Sequence, residues 1–201
     1  MENKEIDIEE ATQEELDLFH SLVKKVPDHP QKGVLFYDLF SILNSVEQTQ
    51  KLFDYSIRKI KKFIATSKVE INTIVGLESR GFLLGLVLAD RLKLPFVPIR
   101  KKNKLPGGVY KVNYVTEYSK DQFEIQVDAL NENSKVLIVD DLLATGGSIR
   151  AAEDLIAMAK AETIAYFLVF EIVALEGKKK LSKPDNLLTL IPIKPQVLSD
   201  K

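Results

Sequence analysis

Apolar positions at Leu16, Phe19, Leu22, Val23 and Val26 recur at helical spacing. They predict a helix that opens on the capping box Thr12-Gln13-Glu14-Glu15 and stops at Pro27 and Pro30. Lys32-Gly33 reads as a turn and residues 34–38 as a short extended piece. A second capping box, Ser45-Val46-Glu47-Gln48, opens a helix carrying Leu52, Phe53, Ile57, Ile60 and Ile64. From residue 71 the pattern changes. Apolar runs at 71–77, 95–99, 136–139, 163–173 and 187–191 predict strands. Helical patterns lie between them at about 82–92 and 148–160, with a short one at 175–181. Residues 109–118 and 122–127 alternate in part, as a hairpin or long flap would. Strands alternating with helices predict an α/β fold: a central, mostly parallel sheet with helices on both faces.

The pattern is densest at residues 136–148, VLIVDDLLATGGS. A buried strand ends, Asp140 and Asp141 surface, and Ala144-Thr145-Gly146-Gly147-Ser148 opens a helix. Ligands of open α/β sheets bind at the carboxyl ends of strands. Glycine lets backbone N–H groups come close to a ligand, and a helix start presents unpaired N–H groups and a positive dipole end. That makes an anion site suited to a phosphate monoester, with the Thr145 and Ser148 hydroxyls as further donors. The adjacent carboxylates call for hydroxyls or a divalent cation. A sugar phosphate satisfies both. No Gly-Lys-Ser/Thr follows the glycines, and there is no G-x-G-x-x-G, so neither a Walker A loop nor a dinucleotide fingerprint is present.

Two other strand ends repeat this logic. Glu78-Ser79-Arg80-Gly81 follows the 71–77 strand with a guanidinium suited to a diphosphate. Arg100, Lys101, Lys102 and Lys104 follow the 95–99 strand in a basic loop. Each feature alone has a plain reading. A strand–Gly–helix turn is often structural, Asp140-Asp141 could cap a helix, and the basic loop could be a solvated run. Their order and density favour a ligand phosphorylated at two places.

Composition narrows the class. The chain has 201 residues, 45% hydrophobic and 28% charged, with a net charge of −1. This fits one globular domain spanning 1–201 and argues against a generic nucleic-acid binder. With no cysteine, disulfides, thiolate nucleophiles and Cys-based zinc sites are excluded. The acidic lead-in of residues 1–10 has no secretory character, and no apolar run is long enough to span a membrane. A cytoplasmic protein is expected. The only histidines, His20 and His29, cannot assemble a triad or cluster and read as structural or surface residues. Lys178-Lys179-Lys180 reads as a solvated face near a helix end.

The 136–148 stretch resembles the phosphoribosyl pyrophosphate (PRPP) motif of type I phosphoribosyltransferases. Residues 30–43 (PQKGVLFYDLFSIL), 74–82 (IVGLESRGF), 95–107 (PFVPIRKKNKLPG), 114–118 (YVTEY) and 123–130 (FEIQVDAL) resemble the branch of that family that takes adenine. The resemblance covers roughly residues 16–192. It implies transfer of the phosphoribosyl group of PRPP to adenine, giving AMP and pyrophosphate, with Mg²⁺ as cofactor. It implies a small hood at about 16–43 and a mobile flap at about 105–125. Asp140 and Asp141 would hold the ribose hydroxyls, and Ala144, Thr145, Gly146, Gly147 and Ser148 the 5′-phosphate. Glu78, Ser79, Arg80, Arg100, Lys101 and Lys104 would bind pyrophosphate. Leu35, Phe36, Tyr37 and Ile172 would line the adenine pocket. Tyr114 and Tyr118 belong to the flap, and Glu117 would manage a proton on the base. Glu117, Asp140, Asp141 and Arg80 form the expected catalytic set. Mg²⁺ would be held mainly by PRPP, without a dedicated protein ligand. The resemblance also carries a homodimer, a cis peptide at Glu78-Ser79, and no nucleic-acid or membrane partner.

The chain departs from the family's pattern at Tyr37, where Arg is expected, at Ser119, where a Gly often follows the Glu-Tyr pair, and at Glu78, which replaces a common Asp. Transfer to another purine base, or sensing of PRPP or a purine by a regulator on the same fold, stand as alternatives. Asp141, as a solvent-facing strand end, is expected to tolerate Asp141→Ala without unfolding.

Overall fold

The computed structural model describes residues 11–29, 31–115 and 120–194. The acidic lead-in, the helix stop at Pro30, and Glu117, Tyr118 and Ser119 of the flap lie outside them. The chain divides into two compact units, residues 1–66 and 67–201.

The first unit begins with α1 (Gln13–Ser21). The Thr12 hydroxyl accepts the Glu15 N–H at 3.2 Å, and the Glu15 carboxylate accepts the Thr12 N–H at 2.8 Å, so the expected capping box is formed. The helix is shorter than its apolar spacing predicts. Lys24–Pro27 instead forms strand β1, paired antiparallel with β2 (Leu35–Asp38). Pro27 biases Val26 toward extended backbone and has no N–H for a helical bond, and β2 supplies an antiparallel partner for the extended residues. A short helix α2 (Phe40–Leu43) follows, then α3 (Val46–Ser67), whose Leu52, Phe53, Ile57 and Ile60 are buried. Ser45 Oγ accepts the Gln48 N–H at 3.4 Å at the start of α3.

The second unit is a seven-stranded sheet in the order β5-β6-β4-β3-β7-β8-β9. Its strands are β3 (Thr73–Leu77), β4 (Phe96–Lys101), β5 (Val109–Val115), β6 (Lys120–Gln126), β7 (Lys135–Leu143), β8 (Glu162–Ile172) and β9 (Leu187–Ile193). β4, β3, β7, β8 and β9 run parallel. β5 and β6 form an antiparallel hairpin hung on β4 through the pairs Arg100↔Glu124 and Lys101↔Phe123. Helices α4 (Arg80–Leu92) and α5 (Gly147–Met158) make the crossovers after β3 and β7. β7 has four fully buried residues in a row, Val136 to Val139, as a strand covered on both faces requires. The 175–181 segment is not one helix. It breaks at Glu176 (φ 52°) into two 3-10 turns, Val173–Leu175 and Gly177–Lys180.

Candidate active site

The parallel register aligns three strand ends. Leu77 stands opposite Ile99, and Gly76 opposite Val139, so the register brings Glu78 level with Arg100 and with the Asp140-Asp141 pair on neighbouring strands. The three polar loops of the sequence therefore share one edge of one sheet.

β7 does not end before its carboxylates. Its ladder with β8 continues through Asp140↔Leu168 to Leu143↔Glu171, because β8 is long enough to pair four further residues. Strand alternation then sends Asp140 and Asp141 to opposite sides. Asp140 is half-buried, whereas Asp141 is 5% exposed. The expectation of a solvent-facing Asp141 is thus corrected: its carboxylate is buried and accepts the Arg80 Nε–H in an ion pair. Asp140 Oδ1 accepts the Asp141 N–H at 2.9 Å. Burial and the neighbouring Asp141 charge hold the Asp140 carboxyl well above the usual carboxylate range, with Arg80 opposing them.

Arg80 is the first residue of α4, the exposed Ser79 before it makes no side-chain cap hydrogen bond, and the Glu78–Ser79 peptide is cis, as the resemblance implied. Gly81 packs flush on β7. A β-carbon there would stand 2.6 Å from the Val139 carbonyl oxygen and 3.1 Å from Asp140 Oδ1. Any other residue would push the start of α4 away from the carboxylates.

Glu78 organises the basic loop. It accepts from Arg100 Nε at 3.2 Å, from Arg100 Nη2 at 3.4 Å and from the Lys101 N–H at 2.9 Å. Burial pushes the Glu78 carboxyl up, but the Lys101 N–H and the Arg100 and Lys104 charges bring it below its ordinary value. Arg100 Nη1 also donates to the Lys104 carbonyl at 3.2 Å. The Lys101 ammonium lies 3.1 Å from Asp121 Oδ2. Tyr114 is buried against Phe123, ring centroids 4.3 Å apart, with its hydroxyl 3.5 Å from Asp121. Burial, and then the Asp121 charge, raise the Tyr114 phenol above its ordinary value.

Beyond β7, Ala144 and Thr145 are half-buried and Gly146 takes the left-handed conformation, φ 79°. Gly146 caps α5, whose first intrahelical bond runs from the Arg150 N–H to the Gly146 carbonyl at 3.0 Å. The N–H groups of Gly147, Ser148 and Ile149 therefore have no partner within the helix. A concave row of donors at a helix N-terminus suits a phosphate dianion.

The residues expected at the base fall in both units. Leu35 is exposed and Phe36 and Tyr37 are half-buried on β2. Phe36 meets His29 edge to face at 4.9 Å, and Tyr37 stacks on His20 at 6.0 Å. Burial raises the Tyr37 phenol and lowers His20, with Lys25 adding to the latter. Ile172, half-buried, closes β8 in the second unit.

Sequence reasoning passed over Asp121, which bridges Lys101 and Tyr114, and Gly177, which meets the 144–146 loop. A glycine inside an expected helix at 175–181 was the available signal for the second. Among the described residues no three or more His, Asp or Glu side chains group as a metal site. No helix among them is long and apolar enough to cross a membrane.

Known proteins share this arrangement. Residues 43–195 match the model of the phosphoribosyl transferase domain. An adenine phosphoribosyltransferase of Drosophila pseudoobscura pseudoobscura is 42% identical over 171 residues, 85% of this chain and 92% of that protein. The crystal structure of adenine phosphoribosyltransferase from Saccharomyces cerevisiae, complexed with D-2,5-dideoxy-2,5-imino-altritol 1,6-bisphosphate and adenine, superimposes with a TM-score of 0.79 at 42% identity. That match covers 87% of this chain and 97% of the other. The enzyme from Giardia lamblia, complexed with 9-deazaadenine, gives a TM-score of 0.79 at 35% identity over 89% of this chain and 97% of the other. The chain belongs to the phosphoribosyltransferase family and, within it, to the adenine phosphoribosyltransferases.

Proposed function

We propose that this protein transfers the phosphoribosyl group of PRPP to adenine, releasing pyrophosphate and forming AMP in purine salvage. The observation that carries this reading is the alignment on one sheet edge of a phosphate-type helix start, a carboxylate pair and two cationic strand ends. PRPP carries a phosphate, a diol and a diphosphate in that order. A relative 42% identical binds a bisphosphate imino sugar and adenine together, which supports the same pairing of ligands here.

Residue roles follow from chemistry. The unpaired N–H groups of Gly147 and Ser148, with Ala144, Thr145 and Gly146, take the 5′-phosphate, and the Thr145 and Ser148 hydroxyls add donors. Asp140 and Asp141 accept from the ribose hydroxyls. As pyrophosphate departs, positive charge grows on the ribose and negative charge on the leaving group. The carboxylates stabilise the first, and Arg80, Arg100, Lys101 and Lys104 the second. Glu78 and Ser79 present the backbone between these cations. Leu35, Phe36 and Tyr37 are read as adenine contacts, with residues 16–43 as the hood, and Ile172 is read separately as an adenine residue of the second unit. Residues 105–125, with Tyr114 and Tyr118, serve as a flap that excludes water. Glu117 moves a proton on the base.

Mg²⁺ would be held mainly by PRPP, beside which Asp140 would offer a hard carboxylate oxygen. The chemistry the ion would supply there is neutralisation of charge on the diphosphate. We read the protein as one functional domain over 1–201, a homodimer and cytoplasmic. Exposed Leu83 and Leu86 on α4 are apolar surface consistent with self-association.

The test is incubation of the purified protein with PRPP, Mg²⁺ and each purine base in turn. AMP formation from adenine is expected. Turnover of hypoxanthine, guanine or xanthine but not adenine would sink the adenine assignment, and tight DNA retention without turnover would favour the regulator. Glu117→Gln should lower kcat more than it raises KM for PRPP. An unchanged kcat would remove Glu117 from proton transfer.

A further inference from the structure

Gly177 opens the second 3-10 turn after β8, far in sequence from the glycine loop, and is buried. Its φ is not positive, so its backbone does not demand glycine. Its surroundings do. A β-carbon on Gly177 would stand 2.1 Å from the Ala144 carbonyl oxygen and 2.9 Å from the Gly146 nitrogen. A β-carbon on Gly146 would stand 2.5 Å from the Gly177 carbonyl oxygen. The two segments meet backbone to backbone, with no side chain between them. Room for even a methyl group exists only if one of the two backbone segments moves.

Four residues further on, the same segment is held again. Leu181 is buried in the sheet core. The Ser182 N–H donates to Glu153 Oε1 at 3.1 Å, and the Ser182 hydroxyl donates to the same oxygen. Glu153 is 5% exposed, although it lies on α5, and it also accepts the Tyr166 hydroxyl of β8. Tyr166 in turn accepts the Lys183 N–H at 3.2 Å. Burial, followed by the bond to Glu153, pushes the Tyr166 phenol up to about 12. The 177–183 segment thus touches the glycine loop at one end and the buried side of α5 at the other.

We propose that residues 177–182 act as a backstop that positions the 5′-phosphate cradle, with Gly177 and Ser182 as positioning residues. The proposal rests on the reading of 144–148 as a phosphate site. Gly177 sets how far back the loop sits, and the Glu153–Ser182 contact sets the tilt of the helix whose N–H groups point at the phosphate. None of these residues is among those assigned to adenine.

The experiment measures AMP affinity by calorimetry, with KM for PRPP and KM for adenine, in Gly177→Ala and Ser182→Ala. For Gly177→Ala, AMP affinity should fall and KM for PRPP rise by about 10- to 100-fold, the scale on which an ångström of misplacement acts. KM for adenine should hold. Ser182→Ala, an exposed position, should shift the same quantities in the same direction by a smaller factor. Parallel loss of AMP affinity and of adenine KM marks a general structural role and overturns the proposal. So does unchanged AMP affinity in folded Gly177→Ala. If Gly177→Ala does not fold, Ser182→Ala decides alone, and unchanged AMP affinity there overturns the idea. Failure of the unaltered protein to bind AMP at all would instead remove the phosphate-site reading on which this rests.

Discussion

The Arg80 guanidinium donates to the Asp141 carboxylate across 61 residues of chain, joining the start of α4 to the end of β7. The partners are unequal: the Asp141 side chain is 7% exposed and that of Arg80 is 30% exposed. Asp141 is therefore the more enclosed partner, held in place by a guanidinium that is more open to solvent. Asp141→Asn should keep the shape but lose the charge. Turnover should fall by about 100-fold or more, with a stability loss of about 1–3 kcal/mol from the weakened buried contact. Steady-state rates and urea denaturation check both. Unchanged turnover would confine Asp141 to a structural role.

Glu78 gives an acid-range signature. Its folded pKa lies below the ordinary 4.5. Its ionised form therefore adds stability that is fully present above the unfolded value and is lost as pH falls through the lower, folded one. Melting temperatures of the unaltered protein and of Glu78→Gln should differ most above pH 4.5 and converge as pH falls below it. A constant gap across that range would show that the Arg100 and Lys101 contacts do not couple to its ionisation.

Gly81→Ala forces a β-carbon toward the Val139 carbonyl. The start of α4 must shift, at a cost of about 1–3 kcal/mol. Because Ser79 and Arg80 move with it, kcat/KM for PRPP should fall further than stability alone explains. Thermal melts and kinetics at saturating adenine separate the two effects.

Arg100→Ala removes a guanidinium that Glu78 holds in place. KM for PRPP should rise by about 10-fold or more, in line with the loss of a charge-assisted contact. KM for adenine should move little. Equal changes in both would place Arg100 elsewhere than at the diphosphate.

The sheet was legible because burial on both faces gives β3, β7 and β8 long apolar runs, and the Thr12–Glu15 cap was legible because its residues are local. The end of α1 was not. Whether residues 24–27 continue a helix or pair as a strand depends on β2, which local spacing does not encode. The depth of β7 was hidden for the same reason: Asp140 and Asp141 stay in the ladder only because β8 outlasts the apolar run. The contact of Gly177 with Gly146 joins positions about thirty residues apart and leaves no periodic trace. What sequence did carry was the chemistry of each strand end; which ends are neighbours is a property of strand order.

The two residue pairs that hang the β5–β6 hairpin on β4 have a consequence for chimeras. Phe123 and Ile125 face the core, while Glu124 between them reaches the Asn103 N–H at 3.0 Å. A slip of one residue would turn Phe123 and Ile125 away from the core and break the contact of the buried Glu124 carboxylate with Asn103. Grafts from relatives should therefore carry residues 100–126 as one piece, since β5 is paired along its length with β6. A junction cut through Arg100–Lys101 or Phe123–Glu124 would instead scramble hairpin and cationic loop together, because the same short ladder indexes both.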